Sequence, residues 1–244
     1  MIQGIDISAA QAVTADWEAA RNAGIAYAWI KATEGNAGHD PNFWAHLKNA
    51  TLADIRVGAY HFCRPNTGAT NVFGALRKEA LVADARAEAE FFHVTTTGWG
   101  SQSETMPPLI DLESAGPGLT TGDLLTWLGA HLDRVQQLFG VVPVVYTGAG
   151  FTSRYPGFAA GTWLAEFPLM IAAYPLPGGK AMSPDAAAAH APPELSPWGR
   201  PKVWQYSGGG MGVPGNTCPG FGSVPIDRSI AYVDSLDDLR VVMV

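Results

Sequence analysis

Short apolar runs alternate with amphipathic stretches through the first 150 residues, the rhythm of strands feeding crossover helices. Residues 2–8 read as a first strand. Thr14 and Asp16 are candidate N-caps for a helix through Trp17 and Ala20 that Gly24 stops. Residues 25–31 (IAYAWIK) form a short apolar run rich in β-formers, suited to a strand covered on both faces. Asp40-Pro41 supplies an N-cap and an N1 proline for a helix with Phe43, Trp44, Leu47 and Ala50 on one side. Residues 56–62 (RVGAYHF) predict a third strand, 72–92 a long helix mixing alanine with charge, and 109–112 a fourth strand. Thr120 and Asp123 stand at capping-box spacing before a helix ending at Phe139-Gly140. Residues 141–146 predict a fifth strand, in which Pro143 removes a ladder donor and argues against a central position. Beyond residue 150 the helical pattern thins out. Residues 162–164, 169–173 and 201–206 read as short strands, with a Pro/Gly/Ala-rich loop at 176–199 and a Gly-rich loop at 207–222. The pattern predicts one domain over residues 1–244, a parallel β/α sheet closed into a barrel that lacks its later helices.

Composition removes several function classes. The 15 Lys+Arg are scattered and outnumbered by 22 Asp+Glu, a net charge of −7, so no nucleic-acid partner is expected. No apolar run approaches the 18 or more residues of a membrane span, so no membrane insertion is expected. The start, Met1 to Asp6, has neither a basic nor an apolar leader segment, so no signal peptide is expected. Cys63 and Cys218 lack CxxC spacing and read as unpaired thiols.

Parallel sheets carry their chemistry at the C-terminal ends of strands. Those ends hold a concentration of acids: Asp6 after the first strand, Glu34 after the second, Asp111 and Glu113 at the fourth, and Asp227 in a late segment. Asp111 and Glu113 are two apart in a strand, so both point to one face with Cα atoms about 6.5–7 Å apart. Two such carboxyls repel and lose hydration, which raises the proton affinity of one and leaves the other ionised. That split suits general-acid work at neutral pH. A solvated strand end that caps the next loop is the plainer reading of the same D-x-E. Asp6 and Asp227 also sit in apolar settings where an unpartnered charge is costly. Trp29, Tyr60, Tyr146, Tyr174, Trp204 and Tyr206 lie near the same strand ends, and acids plus aromatic faces suit a carbohydrate cleft. His61 has no second histidine at ligand spacing and reads as a hydrogen-bonded core residue. No metal site and no cofactor are expected; neither a GxSxG nor a phosphate loop is present.

In order along the chain stand GIDIS (4–8), WIKATEG (29–35), GAYHF (58–62), PLIDLE (108–113), VVYTG (144–148), VWQYS (203–207), VPG (213–215) and IDRS (226–229). This set resembles glycoside hydrolase family 25, the Chalaropsis-type muramidases found among phage endolysins and bacterial autolysins. The resemblance implies an irregular, flattened β/α (TIM-like) barrel with fewer than eight outer helices, and hydrolysis of the β-1,4 bond between N-acetylmuramic acid and N-acetylglucosamine. Matched by motif, Glu113 is the implied proton donor. Asp111 is the implied acid that orients the substrate's acetamido group as internal nucleophile, in a retaining reaction. Asp6 and Asp227 complete the implied site, and Glu34, Tyr60, Tyr146 and Gln205 fall in cleft-lining motifs. Bacterial peptidoglycan is the implied partner, met by a monomer. As a phage lysin it would wait in the host cytoplasm until lysis; otherwise it would act outside the cell. Two segments depart from the family pattern, an insertion at 216–223 and a long 176–199 loop. Two other readings remain: a non-catalytic wall-binding barrel, and a metal-dependent hydrolase using Asp6, His61, Asp111 and Glu113.

Overall fold

The computed structural model describes residues 1–66, 74–99, 105–174, 182–208 and 217–241. Its strands are β1 (Ile2–Ile7), β2 (Ile25–Glu34), β3 (Gly38–His39), β4 (Arg56–Phe62), β5 (Leu109–Asp111), β6 (Val144–Gly148), β7 (Leu169–Ala172), β8 (Val203–Ser207) and β9 (Asp227–Ala231). Eight of them close a barrel in the order β1-β9-β8-β7-β6-β5-β4-β2, sealed by a parallel β1–β2 pair, while β3 hairpins onto β2 outside it. All barrel neighbours run parallel except β9, which is antiparallel to both β8 and β1. The start of β9 therefore shares a rim with the C-terminal ends of the other strands.

The outer layer is incomplete. Helices α1 (Trp17–Asn22), α2 (Phe43–Leu52), α3 (Gly74–Thr95) and α4 (Thr121–Phe139) pack their buried faces on one side of the barrel. Later, among the described residues, come only α5 (Ala149–Thr152), α6 (Pro184–Ala188) and short 3-10 turns. The expected barrel, with fewer than eight outer helices, is what forms.

Alternation along the strands separates two apolar layers. Tyr27, Trp29, Leu109, Val144, Tyr146, Met170 and Val203 fill the interior. Their neighbours Ala28, Ile30, Ile110 and Val145 face the helices, while Ile171 and Trp204 face the α6 side. Gly4 on β1 and Gly58 on β4 make room for the interior rings. A Cβ on Gly4 would stand 2.1 Å from the Tyr27 ring, and one on Gly58 2.4 Å from Trp29. The Tyr27 hydroxyl is pinned to Ser229 Oγ at 2.9 Å and cannot easily withdraw. Gly4→Ala is expected to destabilise the fold by about 1–3 kcal/mol, the usual effect of overpacking a core; a denaturant titration measures it.

Several local expectations change. Residues 162–164 belong to a 3-10 helix, Thr162–Glu166, whose Trp163 lies against Gly129 of α4. Two apolar residues, Trp163 and Leu164, are too few to specify a strand when a neighbouring helix offers a glycine to pack on. Asn42, not Asp40, is the N-cap of α2. The Asp40 carboxylate instead accepts from the Asn42 and Ala9 amides, at 2.9 and 2.7 Å, tying the loop after β1 to this helix. Trp44 is 48% exposed rather than on the buried face. Pro143 precedes β6 and removes nothing from its ladder, so β6 sits centrally between β5 and β7. Asp16 and the Thr120–Asp123 capping box do cap α1 and α4, and Gly140 ends α4 in the left-handed region at φ 68°. Part of the 176–199 loop winds into α6; residues 175–181 and 209–216 lie outside the described residues.

Candidate active site

One end of the barrel gathers the acids. Asp6 and Asp227 are directly paired across β1 and β9, Asp111 ends β5, and Glu113 follows two residues later. All four line a cavity of about 160 Å³. Tyr60, Phe62 and Tyr146 form part of its wall, and Lys31 reaches into it from β2. Period-two alternation explains the convergence: Lys31 follows Tyr27 and Trp29, Phe62 follows Gly58 and Tyr60, and Asp111 follows Leu109. Lys31, Phe62 and Met170 also line the cavity; none of them is a predicted site residue, although the same alternation points to them.

The acids raise one another's proton affinity. Asp111 is 7% exposed; burial lifts its carboxyl well above the ordinary range, and the charges of Glu113 and Asp6 add to this. Burial likewise raises Asp6, reinforced by Asp227 and opposed by a hydrogen bond from Gln205. Glu113 sits at the open rim, raised by partial burial and by Asp227, with Arg64, Lys31 and Arg154 pulling the other way. Asp111 Oδ1 is buried without a hydrogen-bond partner among the described residues, so the cavity presents one unmet acceptor.

Around this centre the other candidates divide. Glu34 stands at the edge of an adjoining pocket, clamped by Lys31 on Oε2 and by Arg64 on Oε1 at 2.6 and 2.8 Å. The Lys31 hydrogen bond is the first cause that lowers its carboxyl below the usual range. A register shift in β2 between Lys31 and Thr33 places Glu34 beside Lys31 again, three residues on. Tyr174 is 43% exposed near the rim and donates to Gln205 Oε1 at 2.6 Å. Gln205 itself is 1% exposed and committed to protein partners. Trp204 is not in the cleft. It lies outside the barrel with Leu169, Ile171 and Met182, its indole N–H donating to Ala173 O at 2.8 Å.

His61 faces away from the acids, toward α3. Its Nδ1 meets Thr33 Oγ1 at 2.8 Å and its Nε2 meets Glu88 Oε2 at 2.8 Å. Because Tyr60 points into the cavity and His61 out of it, His61 cannot share an ion with Asp6, Asp111 and Glu113. His61, Cys63 and His131 do form a buried cluster with donor atoms within 4.8 Å of one another. Yet the two imidazoles stack at 5.1 Å and 19°, so their lone pairs run side by side rather than converge, and both His61 nitrogens are engaged. Cys63 and Cys218 are buried free thiols.

Burial pushes His61 down to about 3 and Glu88 up to about 7. Between about pH 4.5 and 6.5 the folded pair thus holds one proton, on Glu88. The unfolded pair also holds one, on the histidine, so the pair adds no pH slope there. Glu88→Gln breaks this balance: His61 stays neutral when folded but takes a proton when unfolded. Its stability relative to the parent is expected to fall as pH drops below about 6.5, by about 1.4 kcal/mol per unit. Denaturant titrations at pH 7 and pH 5 measure the difference.

Comparisons with known proteins show the family. The profile of glycosyl hydrolases family 25 matches residues 5–75 and 76–214. Lysozyme M1 of Streptomyces globisporus is 32% identical over 177 residues, 68% of this chain and 55% of that enzyme. The chain thus spans little more than half of that relative's length. An N,O-diacetylmuramidase of Arthroderma benhamiae is 31% identical over 176 residues, covering 70% of this chain and 67% of that one. A bacterial lysozyme from Streptomyces coelicolor superposes with a TM-score of 0.71 at 26% identity, over 97% of this chain and 95% of that one. The chain belongs to glycosyl hydrolase family 25.

Proposed function

We propose that this chain is an N-acetylmuramidase acting on bacterial peptidoglycan, with Glu113 as general acid and retention through substrate assistance. The observation that carries the reading is the buried, unpartnered Asp111 Oδ1 beside a carboxyl, Glu113, whose proton affinity is raised by its surroundings. An amide N–H donated by an acetamido group on the sugar would satisfy that oxygen and turn the acetamido carbonyl toward the anomeric carbon.

The steps balance as follows. The acetamido oxygen bonds to the anomeric carbon as the glycosidic bond breaks, and the Glu113 proton passes to the departing oxygen. The resulting oxazolinium is positively charged, and that charge favours Asp111 as the carboxylate that stabilises it through the N–H contact. Glu113, now a carboxylate, takes a proton from water as the water oxygen attacks the same carbon and reopens the ring. Two inversions give net retention. Burial and the charge of Asp227 keep the Glu113 proton in place until it is needed. Lys31 and Arg64 limit that effect, and Phe62 lies beneath both cations at 5.0 and 4.5 Å.

Among the described residues no helix is long and apolar enough to cross a membrane. Mass spectrometry of muropeptides released from purified peptidoglycan tests the reading, and reducing muramic acid ends are expected. Reducing glucosamine ends would make it a glucosaminidase. Binding without release would make it a wall-binding barrel.

A further inference from the structure

Gln205 makes four side-chain hydrogen bonds in the barrel mouth, all to protein groups, two of which, Asp6 and Tyr146, line the cavity. Its Oε1 accepts from two phenols, Tyr146 at 3.0 Å and Tyr174 at 2.6 Å. Its Nε2 reaches both oxygens of Asp6, at 2.9 and 3.1 Å. An amide has a donor end and an acceptor end, and two hydroxyl donors on one end decide which way it faces. The N–H groups are thereby aimed at Asp6, and a reversed amide would set its carbonyl against the carboxylate. β8 places Gln205 inward, as it does Val203, while Trp204 faces out.

We propose that Gln205 is a positioning residue: pinned by Tyr146 and Tyr174, it holds Asp6 as an oriented carboxylate against Asp227 and so governs how the acid cluster shares its protons. It does not touch the sugar. This inference rests on the muramidase reading for its kinetic consequence, but not for its structural one.

Several groups act on Asp6. Asp227 faces it from β9, and Glu113 adds a like charge from beyond β5. Asp111 and Lys31 share its cavity, and the Tyr60 and Tyr146 phenols feel its charge. Among the groups that act on its proton affinity, the Gln205 hydrogen bond lowers it against burial, Asp227 and Glu113. Removing that donor lets Asp6 take up a proton at higher pH. The active pH range should narrow from the acid side.

The test compares the parent with Gln205→Met and, as a variant that leaves the core intact, Tyr174→Phe at the exposed rim. Carboxyl carbon NMR reads the Asp6 titration directly, and soluble peptidoglycan glycan fragments give kcat and KM against pH. The expected result is an Asp6 midpoint moved upward in both variants, more in Gln205→Met. In kinetics, kcat falls about 10–100-fold in Gln205→Met, the usual effect of losing the partner that orients a site group. KM holds and the acid limb moves up. An unchanged Asp6 titration, or a loss confined to KM with the acid limb in place, would overturn the proposal and make Gln205 a ligand or a packing residue. Should Gln205→Met not fold, Tyr174→Phe decides alone by the same two readouts. If the parent releases no muramic acid ends, the muramidase reading fails, while the Asp6 titration still judges the role of Gln205.

Discussion

Glu113→Gln is expected to lose about 10²–10⁴-fold in kcat on peptidoglycan while melting no lower than the parent, because a general acid contributes on that scale. Glutamine keeps the shape and removes the proton. The site around it is otherwise untouched: the Glu34 clamp by Lys31 and Arg64 does not involve the Glu113 side chain. Activity retained within about tenfold of the parent would assign the proton to another group, and Asp6 would be the next candidate, since burial and Asp227 raise it as well.

Asp111 should show a different pattern. Asp111→Asn keeps a hydrogen-bond acceptor for the acetamido N–H but loses the charge that stabilises the oxazolinium, and kcat should fall about 10²–10³-fold. The telling comparison uses glycan whose muramic acid has been de-N-acetylated. If Asp111 works through the acetamido group, the parent fails on that substrate and Asp111→Asn fails no further. If Asp111 attacks the sugar itself, the parent cleaves the de-N-acetylated glycan and only the variant fails. The same substitution should stabilise the protein. Burial, Glu113 and Asp6 hold the Asp111 carboxyl up in the fold, so its ionisation opposes folding once pH exceeds the ordinary carboxylate range. Asp111→Asn should therefore melt higher than the parent at pH 7, with the gap closing toward pH 4. Thermal melts at the two pH values check this.

Apart from Asp227, the acids were legible in the sequence because each stood at the end of an apolar strand, where an unpartnered charge needs a reason. Asp227 was legible from its apolar setting alone, in a segment read as no strand; β9 forms there and runs against the other strands. Antiparallel pairing brings its first residue, rather than its last, to the shared rim. The run WQYS at 204–207 was harder to read, since all four residues are buried. In a strand covered on both faces, apolar periodicity cannot say which residue points inward. The structure puts Gln205 inside and Trp204 outside. Lys31 escaped notice for a related reason: it ends an apolar run and reads as a strand terminus, but alternation from Tyr27 and Trp29 carries it to the cavity. Asp40 carried a cap-like signature but stands two residues before the N-cap Asn42, and one of its carboxylate oxygens takes the Ala9 amide, 31 residues away. Contacts of that kind are made by the fold and leave no local trace.

Proton NMR of the first-formed product from a soluble glycan tests the central claim most directly. The account predicts the β-anomer at the new muramic acid end, appearing before mutarotation. A first-formed α-anomer would mean a single displacement by water, and would contradict both the internal nucleophile and the role given to Asp111.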